Sequence, residues 1–502
     1  MINRPSDEVN VLACKQGQGT APVAFAMKKY SDDGAMAFHT PGHKQGRGAH
    51  PLLKGLVTDE GLREEVSLME ELDDLSDPHA SIQAAEKLAA ELYGVDHALF
   101  MVNGTTGAIH AMMMGTLKPG DKVIVPRNIH RSIAGGLILS GAVPCYMQPE
   151  VDEGFGTASG VSLETVKRAI HDAPDAKAVL LVYPTYYGVA SDIAAISAYA
   201  HEHGMMVLVD EAHGAHLPFS SRLPMEAVAV GADAAAVSTH KLLGSMTQTS
   251  MLLIRDGRVD ARRMLASSGV LTSTSPNQLL LASLDIARLQ MAESGTELWT
   301  RAIELSDRVR DGVRTIPGLR CYEAEDVPDG MTTDPCKVVV NVTGLGIGGS
   351  EAERRLRYDY KIECELADAW NVLFIISYAD SVYEADYLVD SLHRLADDIC
   401  RDGANVKPIA GGTLPKIPAM RLTPRDAYFK GTEAIPFEMA VGRIMAEEIM
   451  FYPPGIPLVF PGEELTQEIY EYVRERQAMG LRLTGPRDTS LDTVLVVAEE
   501  DS

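Results

Sequence analysis

The sequence predicts an α/β protein whose core is a mostly parallel sheet covered by helices on both faces. Three observations predict it. Between residues 56 and 260 seven short apolar runs recur, at Ala98–Val102, Lys122–Val125, Val143–Met147, Ala178–Val182, Met206–Val209, Ala234–Val237 and Met251–Ile254. The runs are continuous rather than alternating, which is the pattern of strands buried on both faces. Most are separated by stretches of helical periodicity, such as Ser162–His171 and Ile193–His203, as in a repeated strand–helix layer. In such sheets a ligand binds beyond the carboxyl ends of the strands, so the residues after each run are the ones to examine.

The 502 residues can bury a large core and accommodate roughly two to four domains. A hydrophobic content of 46% with 23% charged residues is that of an ordinary globular protein. No apolar run approaches the roughly 20 residues that span a bilayer, and the first residues lack a signal-like apolar core. Six cysteines (Cys14, Cys145, Cys321, Cys336, Cys364, Cys400) show no C-x-x-C spacing, which argues against a disulfide frame or a zinc site and fits a reducing, cytoplasmic compartment. The formal net charge of −25 disfavours nucleic acid as a partner and is compatible with a cationic small substrate.

Residues 1–55 are expected to form an arm. Within it, Phe38-His39-Thr40-Pro41-Gly42-His43-Lys44 combines a Pro-Gly turn with cations that could face an anionic site, or simply solvent. His39 and His43 are four apart, but Pro41 and Gly42 forbid a metal-binding helix between them. After the first run, Asn103-Gly104-Thr105-Thr106-Gly107 opens a helix, where free N–H groups and the helix dipole can hold an anion. His130 follows the second run. Asp210-Glu211-Ala212-His213-Gly214-Ala215-His216 follows the fifth, and a carboxylate ending a buried strand needs a cationic partner. The protonated nitrogen of a pyridine ring is such a partner. A metal held by Asp210, Glu211, His213 and His216 is the competing reading, although no cluster elsewhere completes it. Lys241, in Ser238-Thr239-His240-Lys241 after the sixth run, is an amine suited to condensing with an aldehyde cofactor such as pyridoxal phosphate. Together the strand ends supply hydroxyls for a phosphate (Thr105, Thr106), a flat ring for stacking (His130), an acid (Asp210) and an amine (Lys241).

Farther along, residues 277–315 are helical in pattern, and Lys337–Val342 reads as a strand. Gly344, Gly346 and Gly349 then fit G-x-G-x-x-G, with Ser350 as a helix cap, so a dinucleotide site is weighed against a simple turn. Ile362–Glu365 and Val372–Ile376 are read as further strands. A boundary is expected at Gly403–Pro418, a helix over Met439–Met450, and a loop at Tyr452–Pro457. Glu463 is a candidate to meet a substrate cation. The expected domains are therefore 1–55, 56–310, 311–402 and 403–502, the last two small and α+β.

The stretches Phe38–Lys44, Leu72-Asp73-Asp74-Leu75, Asn103–Gly107, Asp210–Gly214, Ser238–Lys241, Thr274-Ser275-Pro276, Ala282-Ser283-Leu284-Asp285, Tyr452–Pro457 and Pro461-Gly462-Glu463 resemble, in order and across nearly the whole chain, the pyridoxal-phosphate-dependent Orn/Lys/Arg decarboxylases. The resemblance is to their shorter bacterial form. It implies fold type I, the aspartate-aminotransferase-like fold, with a seven-stranded sheet in the large domain. It also implies that Lys241 carries the cofactor, that Asp210 pairs with the ring nitrogen, and that His130 stacks on the ring. Thr105, Thr106, Ser238 and His240 would meet the phosphate. His213 would lie near the ring and substrate, and Ser275 and the arm, with His39, would reach an active site shared in a homodimer. The implied reaction is decarboxylation of a basic L-amino acid, arginine to agmatine first, with lysine or ornithine as alternatives and no metal. An aminotransferase of the same fold and a non-catalytic regulatory homologue are the remaining alternatives.

Overall fold

The computed structural model describes residues 17–499 except 68, 70–71, 153, 403–414, 452–455, 479–480 and 482. The start of the expected arm, Cys14, most of the Gly403–Pro418 boundary and Tyr452–Gly455 lie outside the described residues. The chain divides into two compact units, one comprising 1–116, 206–221 and 225–297, the other 117–205, 222–224 and 298–502.

Seven strands make up the large sheet, as expected: β1 (His97–Met101), β2 (Lys122–Pro126), β3 (Val143–Met147), β4 (Ala178–Val182), β5 (Met206–Glu211), β6 (Ala234–Val237) and β7 (Ser250–Ile254). In the first unit they run in the order β1-β7-β6-β5, and in the second β4-β2-β3. Val123–Val125, Val207–Val209, Ala234–Val237 and Leu252–Ile254 are wholly buried. Burial on both faces is why these strands show no polar alternation, and each valine, leucine or isoleucine so buried contributes about 1.5–3 kcal/mol.

β2 lies parallel to β3 and β4, and β5 parallel to β6, whereas β7 runs antiparallel to both β1 and β6. The reversal follows from the short connection 238–249, whose only helix is Thr239–Leu242. A parallel return normally needs a full crossover helix. The helix Gly104–Thr116 springs directly from the loop after β1 and packs on helix Ala261–Leu271. A Cβ at Gly115 would lie 2.6 Å from Met264 Cγ, so only glycine permits this approach. Helices Leu163–Asp172 and Ile193–Glu202 fall within a residue of their predicted bounds. Their first turns are capped by Ser162 and Asp192, which accept from Thr165 N and Ala195 N.

In the second unit a smaller sheet pairs Arg320–Cys321, Lys337–Asn341, Asn371–Ile375 and Leu366–Ala367, all antiparallel. It buries Val338, Val340, Val372, Leu392 and Leu395 against helices. This sheet excludes the dinucleotide reading of Gly344, Gly346 and Gly349, which requires parallel strands. A Cβ at Gly349 would collide with the Asn371 and Asp368 carbonyls, so that glycine serves backbone packing. Gly348, not Ser350, is the helix cap. Ile362–Glu365 is not a strand. Lys361 turns left-handed (φ 59°), Ile362 N closes the preceding helix on Leu356 O, and the ladder forms only at Leu366.

The expected helix over Met439–Met450 is also absent. The segment holds a short turn at Phe437–Met439, a left-handed Gly442 and the strand Ile449–Phe451. Met445 N and O bond to Glu463 O and Gly462 N. Buried Met445 and Ile449, four apart, imitated one face of a helix. Helix Gln278–Arg314 and strand Lys337–Asn341 fall where predicted.

Candidate active site

In the first unit, the parallel register that pairs Asp210 with Ala236 and Glu211 with Val237 brings the carboxyl ends of β5 and β6 side by side. Asp210 is 3% exposed, and its Oδ1 accepts from Ala212 N at 3.2 Å. Strand alternation sends Glu211 to the opposite face. The chain then turns, with Gly214 N donating to Glu211 O at 2.8 Å, and presents the buried His213. His213 Nε2 lies 3.0 Å from Lys241 Nζ. Lys241 itself sits in the short helix after β6 and is exposed. Lys241 and His213, 28 residues apart, are thereby brought together next to the strand end that carries Asp210.

Behind the lysine the hydroxyls are tied to the sheet. Ser250 Oγ donates to Val237 O (2.7 Å) and lies 3.3 Å from Thr105 Oγ1, whose hydroxyl is left to donate to it. Thr105 is buried and Thr106, the next residue of the same helix, is exposed. Gly104, left-handed at φ 65°, donates to Gln248 O at 2.7 Å, while Gln248 Nε2 donates to Val102 O at 2.6 Å, which fixes the loop entering the helix. Ser238 Oγ lies 3.2 Å from His240 Nδ1, which is also 2.7 Å from Thr249 O. A carbonyl only accepts, so Nδ1 carries the proton in this contact.

The other predicted residues have separate settings. Ser275 is exposed, and its N–H bonds Ser273 Oγ. His39 Nε2 bonds Tyr30 OH at 2.8 Å, and its carbonyl accepts from Lys44 Nζ at 2.6 Å. Among the described residues, Asp210, Glu211, His213 and His216 do not present ligand atoms to a common point.

In the second unit, exposed His130 caps helix Arg131–Ser140, accepting from Ser132 N at 3.2 Å. Glu463 differs from the expectation of a substrate contact. It is 1% exposed and takes a two-pronged ion pair from Arg127 NH1 and NH2 (2.6 and 2.7 Å), plus the Phe460 N–H. Its carboxylate is therefore engaged by a cation of the chain itself. Arg127 also donates to Pro457 O and Leu458 O, and its guanidinium lies 4.7 Å from the centroids of the Tyr146 and Phe460 rings. Sequence reasoning passed over Arg127, Gln248 and Ser250. An arginine directly after the buried run of β2 was the available signal for the first. Ser250 was hidden at the edge of an apolar run.

An exposed amine, a buried carboxylate at the neighbouring strand end and anchored hydroxyls are groups that could hold an aldehyde cofactor covalently. The fold itself has solved counterparts. A solved Francisella novicida lysine decarboxylase shares it with a TM-score of 0.83 at 21% identity, covering 95% of this chain and 81% of that one. This is fold type I.

The family follows from sequence. Residues 21–384 match the Orn/Lys/Arg decarboxylase major domain and 412–488 its C-terminal domain. An arginine decarboxylase of Halalkalibacterium halodurans is 42% identical over 97% of this chain and 99% of its own length. One of Bacillus subtilis is 41% identical over 96% and 99%. The chain belongs to the Orn/Lys/Arg decarboxylase family.

Proposed function

We propose that this protein uses pyridoxal phosphate to decarboxylate a basic L-amino acid, arginine ahead of lysine and ornithine, releasing agmatine and CO2. The observation that carries this is the Lys241–His213 contact of 3.0 Å at the strand end beside buried Asp210. The full-length likeness to relatives named arginine decarboxylase supports arginine as the substrate.

When bound, pyridoxal phosphate supplies an aldehyde that captures the substrate nitrogen and a ring that accepts the electrons left as CO2 departs. Lys241 would hold that group covalently through its amine. Asp210 keeps a proton on the ring nitrogen, an electrostatic effect strengthened by its burial. Thr105, Thr106, Ser238 and His240 bind the phosphate, and His130 stacks on the ring. His213, hydrogen-bonded to Lys241, passes a proton toward the substrate carbon, and His39 contributes to substrate binding. Ser275 and the arm complete the site of a second copy in a cytoplasmic homodimer. Met36, Phe38 and Leu52 of the arm are exposed apolar side chains that a partner would cover. The domain division 56–310, 311–402 and 403–502 belongs to the same reading.

CO2 release from arginine, lysine and ornithine by cofactor-loaded protein is the test. The expected result is the highest kcat/KM for arginine, with agmatine as product. Formation of a keto acid in place of CO2 would replace this function with transamination.

A further inference from the structure

Beneath the turn that presents His213 lies a second pair of acidic groups that the proposed chemistry does not use. Glu211 is 0% exposed and Glu226 3% exposed, and Glu211 Oε1 accepts from the N–H of Ala227, the residue next to Glu226, so the two carboxyls meet at one buried turn. Two buried carboxylates at one turn repel each other when both are charged, and a proton held by one of them removes that repulsion.

The remaining contacts say where the proton sits. Glu226 accepts from Val228 N at 2.9 Å through Oε1 and from Ala229 N at 2.6 Å through Oε2. Glu211 Oε1 accepts from Ala227 N at 3.2 Å, while Glu211 Oε2 is buried with no hydrogen-bond donor directed at it. Glu211 Oε2 is thus the atom left to donate to Glu226. Burial pushes both carboxyls above the ordinary range, Glu211 well above it, and the facing charge of Glu226 and then of Asp210 adds to the shift. Arg255 acts on Glu226 in the opposite sense, and Tyr93, itself pushed up by burial, faces both acids.

The pair is built into the turn. A Cβ at Gly214 would run into Glu211 Cγ, so the turn closes directly onto this side chain. Tyr93 OH then donates to Ala215 O at 2.6 Å, holding the far end. We propose that Glu211 and Glu226 share one proton and act as positioning residues, fixing the turn that holds Asp210 before it and His213 after it. The positioning role rests on the reading of Asp210 and His213 given above, whereas the shared proton does not.

Infrared spectroscopy of the intact, cofactor-loaded protein at neutral pH reads the proton directly. A protonated-carboxyl band that disappears in both Glu211→Gln and Glu226→Gln is the expected result. Buried Glu86 contributes a protonated-carboxyl band of its own, so the reading is the parent-minus-variant difference spectrum, and a difference spectrum with no lost carboxyl band in either substitution overturns the pair. The role is read from kinetics. Glu211→Ala should lower kcat about tenfold with KM changed less than about threefold. Glu211→Gln, whose amide still donates to Glu226, should restore kcat to within about threefold of the parent. A glutamine variant as impaired as the alanine variant overturns the positioning role. Should Glu211→Ala not fold, the same comparison is made with Glu211→Met. An intact band in a protein that decarboxylates no basic amino acid counts against the proposed function and upholds the shared proton.

Discussion

Two of the cations that follow buried strands are treated in opposite ways. Arg127, after β2, is 2% exposed, donates to two carbonyls and both oxygens of Glu463, and lies 4.7 Å from the centroids of two aromatic rings that stack on each other. Lys241, after β6, is exposed, with its amine beside the imidazole of His213. A planar guanidinium with its donors matched in fixed directions is a fastener. A flexible amine next to a titratable ring can change partner during a reaction. Burial and saturation, rather than charge or position after a strand, separate the fastened cation from the one proposed to react.

The sharpest way to test this contrast is to remove each cation in turn. Lys241→Ala should lower CO2 release by at least about a thousandfold and end covalent retention of cofactor after borohydride. It should leave urea unfolding within about 0.5 kcal/mol of the parent. A large loss of stability there would break the comparison. Arg127→Ala should do the reverse, costing about 3–5 kcal/mol because it strands the Glu463 carboxylate in the interior. Arg127→Met with Glu463→Leu should recover most of that loss. A double variant no better than the single one would show that the carbonyls and rings, not the ion pair, hold the segment.

The smallest effect concerns a buried acid with neither arrangement. Glu86 accepts the Phe100 N–H at 2.8 Å, and burial lifts its carboxyl to about 8, with the nearby charge of Asp73 adding to the shift. The folded protein therefore holds a proton that the unfolded chain releases at its ordinary carboxyl value. Stability contributed by Glu86 is complete below that value and is lost as pH rises through about 8. Glu86→Gln should remove this slope and raise stability at pH 8 by roughly 1–3 kcal/mol, read as the difference between melting curves at pH 5 and pH 8.

The strands of the large sheet were legible because complete burial writes an unbroken apolar run into the chain. The reversal of β7 was not, since direction depends on how the connection 238–249 folds. Ile362–Glu365 misled because one local closure at Lys361 displaced the ladder by a few residues. Met439–Met450 misled because Met445 and Ile449 face one core at a helical spacing without a helix. At the candidate site, Lys241 and Asp210 were singled out from residue type at strand ends and His213 from the family resemblance, while the 3.0 Å contact of Lys241 with His213 depends on the fold. The partnership of Glu463 was hidden because Arg127 lies 336 positions away. Glu211, beside Asp210 in sequence, looked like a co-ligand until strand alternation turned it toward Glu226.

That separation of 336 residues also has a temporal meaning. At ribosomal speeds of 5–20 residues per second, Arg127 is synthesised roughly 20–70 s before Glu463 exists. Through that interval the nascent chain holds a guanidinium whose final setting is dry and whose counter-charge has not been made. The end of β2 therefore cannot mature until the last part of the polypeptide emerges, and a chain cut short before Glu463 should remain a client of the chaperone machinery.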